Sequence, residues 1–115
     1  MKQVIIIIRT NKYFQTREAL VKQNFGSISE KEIIGRGKVP GHYTAVTGEE
    51  SHANYSFSAK RMIEMYVRDE DVDRLIKVVL EINKTGTTGD GKIFVLPAET
   101  AIRIRTGEDG INAIM

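Results

Sequence analysis

The chain has 115 residues, enough for one compact domain and too few for two ordinary ones. Its 41% apolar and 28% charged composition excludes a disordered or collagen-like chain, and a net charge of +2 is too small a basic surplus to argue for nucleic acid. With no cysteine there are no disulfides, thiolate metal sites or cysteine nucleophiles, and so short a chain gains buried surface most readily by self-association.

The first predicted element is a strand over residues 2–9. Val4, Ile5, Ile6, Ile7 and Ile8 are apolar on both faces, as in a central strand, and Arg9 ends the run. The run is too short for a signal peptide, and a membrane span needs about 20 apolar residues, so a cytoplasmic protein is expected. Residues 13–24 place Tyr13, Phe14, Leu20 and Val21 in one helical stripe, with Arg17, Glu18 and Lys22 elsewhere and Gly26 just beyond. Residues 27–34 alternate in part and predict a second strand. From 35 to 58 the pattern collapses around Gly35, Gly37, Pro40, Gly41 and Gly48. A loop of roughly 20 residues is unusual in a compact domain and points to function.

Residues 59–67 predict a third strand that carries Glu64 on the same face as Met62 and Tyr66. Residues 69–83 are the clearest helix: Asp69, Glu70, Asp71 and Asp73 crowd its start, where the helix dipole favours negative charge. Val72, Leu75, Ile76, Val79 and Leu80 then recur at helical spacing. A glycine-rich turn over 85–91 leads to a strand over 92–96, stopped by Pro97, and residues 101–105 read as a last short strand. The order predicts one α+β domain over 1–115. It is a ferredoxin-like double βαβ sandwich, an antiparallel sheet with two helices on one face and a long loop between strands 2 and 3.

Three motifs invite a chemical reading. Asp69, Asp71 and Asp73 open like a calcium loop, but Arg74 and Leu80 stand where that loop needs glycine and glutamate, so the acidic run reads as a helix start. Gly86, Gly91 and Lys92 satisfy the spacing G-x-x-x-x-G-K of a phosphate-binding P-loop. Ile93 replaces the magnesium-binding hydroxyl, and a strand follows where a helix should begin, so a P-loop NTPase is excluded. The turn keeps phosphate-binding chemistry all the same: glycines let backbone N–H groups approach an anion, and Lys92 adds a point charge. Arg103 and Arg105, flanking Ile104, would share one face of an extended segment and offer two guanidinium forks to phosphate oxygens. His42 and His52 have no fixed ligand or triad spacing, so neither a metal site nor a nucleophile is assigned. A small nucleotide-hydrolysing enzyme would lack a base. An RNA-binding sheet would have only Tyr66 as a platform, so no nucleic-acid partner is expected.

Taken together, the TGTTGDGK block at 85–92, the IFV that follows and the RIRTGE block at 103–108 resemble the PII nitrogen-regulatory signal transducers, essentially end to end. The resemblance implies a non-catalytic sensor, a homotrimer that binds ATP or ADP in clefts between subunits, with magnesium accompanying ATP. Gly89, Asp90, Gly91 and Lys92 look like the family's phosphate-wrapping B-loop, and Arg103 and Arg105 like its C-terminal phosphate-reaching arginines, supplied by the neighbouring subunit. Gly35, Gly37 and Lys38 match the base of the T-loop, here about 37–58. Ser29 and Glu64 fall where the family contacts the base or ribose, and Lys60 where it pairs with 2-oxoglutarate. Val39 replaces the family's usual magnesium-binding glutamine, so 2-oxoglutarate is expected to bind weakly or by another route. Ala53 stands where some relatives carry a modifiable tyrosine, and Tyr43 and Tyr55 are displaced from it. The GRGK start and the K-T-G before the B-loop look most like the nitrogenase-associated branch. The partner implied is nitrogenase or, in other branches, an ammonium channel or nitrogen-assimilation enzyme, with peripheral membrane contact only in the channel case.

Overall fold

A computed structural model of the chain describes residues 1–35 and 58–115. The four strands are β1 (Lys2–Arg9), β2 (Ser29–Gly35), β3 (Ser58–Val67) and β4 (Lys92–Pro97); the helices are α1 (Tyr13–Lys22), α2 (Val72–Asn83) and the single turn α3 (Ile111–Ile114). The sheet order is β2-β3-β1-β4, with every neighbouring pair antiparallel. This is the ferredoxin-like arrangement expected from the element order.

Alternation along the two central strands decides the architecture. Val4, Ile6 and Ile8 of β1 and Ile63, Met65 and Val67 of β3 are buried, and they share one cluster with Leu20 of α1 and Leu75 and Val79 of α2. Each fully buried aliphatic side chain of this kind contributes about 1.5–3 kcal/mol. The helices therefore cover one face. On the other lie Ile5, Ile7 and Met62, partly exposed, together with Phe94 and Leu96, which are exposed and stand opposite Ile5 and Gln3. That apolar face has no covering element among the described residues.

Polar groups set the relation of the two helices. Asn83, buried at the end of α2, donates to the Thr16 hydroxyl of α1 at 3.0 Å, and Thr16 donates to the Lys12 carbonyl at 2.7 Å. Among the described residues the strand β2 pairs only with β3, and it carries Glu30, Lys31 and Glu32, charges that blunt a sheet edge.

Three expectations are corrected. Helix α1 ends at Lys22 instead of running to Asn24. Asn24 takes the left-handed conformation at φ 67°, a role expected near Gly26, and the Phe25 amide closes on the Leu20 carbonyl at 2.9 Å. The acidic run Asp69–Asp71 forms a 3-10 turn ahead of α2, where Asp71 accepts from Arg68 at 2.9 Å and from Arg74 at 3.2 Å. Residues 101–105 are no strand. A single bridge pairs Ile102 with Asp109, and the chain between them turns back on itself. The body of the long loop, with Gly37, Lys38, Val39, Pro40, both histidines, Tyr43, Ala53 and Tyr55, lies outside the described residues.

Candidate functional site

The turn between α2 and β4 is organised around one carboxylate. Asp90 accepts hydrogen bonds from the Thr85 amide at 2.8 Å, the Gly86 amide at 2.9 Å and the Thr85 hydroxyl, and pairs with Arg9 of β1 at 2.6 Å. Donation from Thr85, then from Arg9 and Gly86, holds this carboxyl well below the usual carboxylate range. Arg9 also donates to the Thr87 hydroxyl at 3.2 Å and to the Thr88 carbonyl at 3.0 Å, so one guanidinium spans the turn.

The glycines are dictated by this geometry. Gly91 has φ +107°, and a Cβ there would stand 1.8 Å from the Ile7 carbonyl oxygen. Gly89 has φ +102°, and its missing Cβ leaves the Arg9 guanidinium 3.1 Å and the Lys60 ammonium 3.6 Å from where that Cβ would sit. Lys60 donates to the Gly89 carbonyl; burial and the neighbouring Arg9 lower its pKa, with Asp90 opposing them. Lys92 begins β4 exposed and stands opposite Ile7, on the sheet face away from the helices. Gly35 ends β2 opposite Ser58, at the same end of the sheet as Arg9 and Lys60. The result is a compact turn that sets three cations, Arg9, Lys60 and Lys92, around a glycine backbone. That donor set suits the phosphates of a nucleotide.

A second group forms elsewhere on the same face. Ser29 stands opposite Glu64 in the β2–β3 register, and the Tyr66 hydroxyl donates to the Glu64 carboxylate at 3.1 Å. Ser29, Glu64, Tyr66 and Arg103 line a cavity of about 410 Å³ whose far wall is the end of α3 and Met115. Glu64 is four residues along β3 from Lys60, which separates the groups by roughly 13 Å. The structure thus brings Lys60 to Gly89 and Asp90, with Gly91 and Lys92 following against Ile7, and Ser29 to Glu64 and Arg103, and it keeps the two sets apart within one chain.

The arginines behave differently from the extended pair expected. The Arg103 guanidinium donates to the Glu108 carboxylate at 3.0 Å and to the carbonyls of Asn112 at 2.8 Å and Met115 at 3.0 Å. Its backbone closes the turn through Glu108 and Gly107. Arg105 is exposed, and Ile104 between them is 98% exposed, so the three residues do not alternate across an extended strand. Gly107 and Gly110, both at positive φ, are what let the chain reverse here.

Sequence reasoning missed Arg9 and Tyr66 as members of these groups. Arg9 was legible only as the end of an apolar run. Its signal was its parity with Ile5 and Ile7, which puts a cation on the open sheet face.

A family model described as "Nitrogen regulatory protein P-II" matches residues 1–108. Among curated proteins, the chain is 39% identical to a "Nitrogen fixation nifHD region GlnB-like protein 2" of Methanobacterium ivanovii, with all of both chains covered. It is 40% identical to a protein of the same description from Methanothermococcus thermolithotrophicus, over 99% of this chain and 98% of that one. It is also 39% identical to a "Nitrogen regulatory protein P-II" of Pasteurella multocida, over 99% and 100% of the two chains. Among solved structures, Arabidopsis thaliana PII bound to citrate superposes with a TM-score of 0.76 at 32% identity, over 98% of this chain and 88% of that one.

Proposed function

This chain belongs to the nitrogen regulatory protein P-II family, and from that premise we propose that it is a non-catalytic sensor that binds ATP or ADP between copies of itself and passes the occupancy to a target protein. The observation that carries the reading is the division of the candidate residues into a phosphate-suited turn and a separate cavity lined by Ser29, Glu64 and Arg103. Neither half is a complete nucleotide site. The open apolar face of the sheet supplies a surface by which copies could meet and join one half to the other, and a homotrimer is the assembly we propose. Arg105, exposed on its turn, is the arginine placed to reach across, whereas Arg103 must first exchange its internal partners for phosphate.

Signal transfer follows from where the turn sits. Gly35 and Ser58 flank the connection 36–57, and Lys60, which holds the Gly89 carbonyl, is two residues beyond Ser58. Arg9 and Lys60 would hold a bound γ-phosphate at this end of the sheet, and the negative charge it adds there would bias the segment between Gly35 and Ser58. A coupling of about 1–3 kcal/mol is enough for a useful response. Residues 37–58 are the proposed docking segment. The naming of the methanogen relatives favours a target connected with nitrogen fixation over an ammonium channel. A pull-down with residues 37–58 present or deleted, in ATP and in ADP, distinguishes those targets.

Replacing Lys92 by alanine is expected to weaken ATP binding by about tenfold or more, through loss of a charge-assisted contact, while the fold stays intact. Calorimetry that found unchanged ATP affinity would remove the turn from the site. Lys60 remains the proposed carboxylate contact for 2-oxoglutarate, which is expected to bind weakly or by another route.

A further inference from the structure

The turn over 103–110 leads into α3, and the two are fastened to each other. Gly110 stands at φ 64° and ψ −143°, a conformation that side-chain-bearing residues rarely adopt, and there the chain enters its last helical turn. The Gly110 amide donates to the Ala101 carbonyl at 2.9 Å, which seats the segment on the opposite arm of the turn. Four residues are too few to hold a helix together in water. Arg103 supplies the missing ties: its Nη2 donates to the Asn112 carbonyl at 2.8 Å and the Met115 carbonyl at 3.0 Å, and its Nη1 to the Glu108 carboxylate at 3.0 Å.

Which nitrogen is engaged decides what Arg103 can still do. A guanidinium has two edges for a bidentate oxyanion, one made by Nη1 and Nη2 and the other by Nε and Nη2. Both edges use Nη2, and here Nη2 is committed to two carbonyls of its own chain. The side chain is nevertheless 29% exposed, so an anion from outside can meet it. A phosphate oxygen is a stronger acceptor than a neutral carbonyl, so exchange favours the phosphate, and it undocks α3.

We propose that residues 111–115 are an autoinhibitory latch, whose carbonyls occupy Arg103 in place of phosphate and which a phosphate-bearing ligand releases. The assignment rests on the nucleotide reading given above and adds to it a competition within one chain. The latch lowers apparent affinity according to the fraction of molecules in which it is closed. By reciprocity, the ligand loosens the latch by the factor through which the latch weakens the ligand.

The test titrates ATP into the wild-type protein, Gly110→Val, Ala113→Pro, Arg103→Ala and the Arg103→Ala/Gly110→Val double variant. Calorimetry reads affinity, sedimentation reads assembly, and NMR follows the amide resonances of residues 112–115. A Cβ at Gly110 meets no atom within 4 Å, so Gly110→Val strains the backbone that seats α3 without crowding the body of the fold. Ala113→Pro undoes the same turn from its other side, by removing the amide that donates to the Gly110 carbonyl. Each of these two variants should bind ATP about 3- to 10-fold more tightly than the wild type, with assembly unchanged. In the Arg103→Ala background Gly110→Val should change nothing, because no guanidinium is left to release. In the wild type, ATP should move the 112–115 resonances toward the positions they take in Gly110→Val. Equal or weaker ATP binding by both unlatched variants overturns the latch and leaves the nucleotide reading standing. A gain that persists without Arg103 or comes with altered assembly overturns it too, as do 112–115 resonances that ATP leaves unmoved. If neither the wild type nor the unlatched variants bind ATP, the nucleotide reading falls, and this inference with it.

Discussion

Two glycine turns among the described residues, 85–91 and 103–110, are built on opposite plans. In the first the hub is an anion: Asp90 collects donors from Thr85, Gly86 and Arg9. In the second the hub is a cation: Arg103 collects acceptors from Glu108, Asn112 and Met115. Both were read from sequence as anion-binding, the first for its glycines and Lys92, the second for two arginines expected on one face of an extended segment. The difference shows that what a turn offers an outside anion depends on which charge its own fold consumes. A turn closed by a carboxylate draws cations to its surface, and Lys60 and Lys92 stand at hand beside Arg9. A turn closed by an arginine has used that arginine, and only Arg105 is left pointing outward.

Substitution of the glycines breaks the comparison most sharply. Gly91→Ala forces a Cβ against the Ile7 carbonyl at a positive φ and is expected to cost roughly 3 kcal/mol or more. Gly107→Ala meets no atom within 4 Å and pays only for its φ of +75°, about 1 kcal/mol. Urea denaturation of both variants checks this; equal losses would mean that the first turn is no more tightly wedged than the second.

The hubs also differ in their response to acid. The Asp90 carboxyl is lowered in the folded state, so its contribution is complete above the ordinary value of 3.8 and is withdrawn only as pH falls below that toward its folded value. The amide resonances of Thr85 and Gly86 should therefore hold their positions from neutral pH to about pH 4 and move only below it. Movement centred near pH 6 would show that Asp90 is not the acceptor. The smallest effect belongs to the second turn. Glu108 is exposed at its end of the pair with Arg103, and Glu108→Gln should change stability by less than about 0.5 kcal/mol, read from the melting temperature. A loss of several degrees would make that turn as interdependent as the first.

How far the sequence could be read depended on the range of the interaction. The five-residue apolar run of β1 and the helical spacing of Val72, Leu75, Val79 and Leu80 are local patterns that burial rewards directly; β1 stands where it was expected, and α2 begins three residues later than expected and ends where it should. The glycine block was recognisable because backbone conformation demands glycine at Gly89 and Gly91. The meeting of Arg9 with Asp90 spans 81 residues and leaves no periodicity in the chain. Arg103 was misread for a related reason. Two alternating arginines are too short a pattern to distinguish a strand from a turn, and the acceptors that decide the matter lie 5 to 12 residues further on.

The wedge at Gly91 bears on how the molecule ages. An aspartate followed by glycine is the pair in which a backbone nitrogen most easily attacks the preceding side-chain carboxyl, closing a ring that reopens as a rearranged main chain. That attack needs a protonated carboxyl and a peptide free to swing toward it. Asp90 is held ionised and occupied by its donors, and Gly91 is pressed against the Ile7 carbonyl. The packing that shapes the turn thus also protects its most perishable bond, and the protection lasts only as long as the fold does.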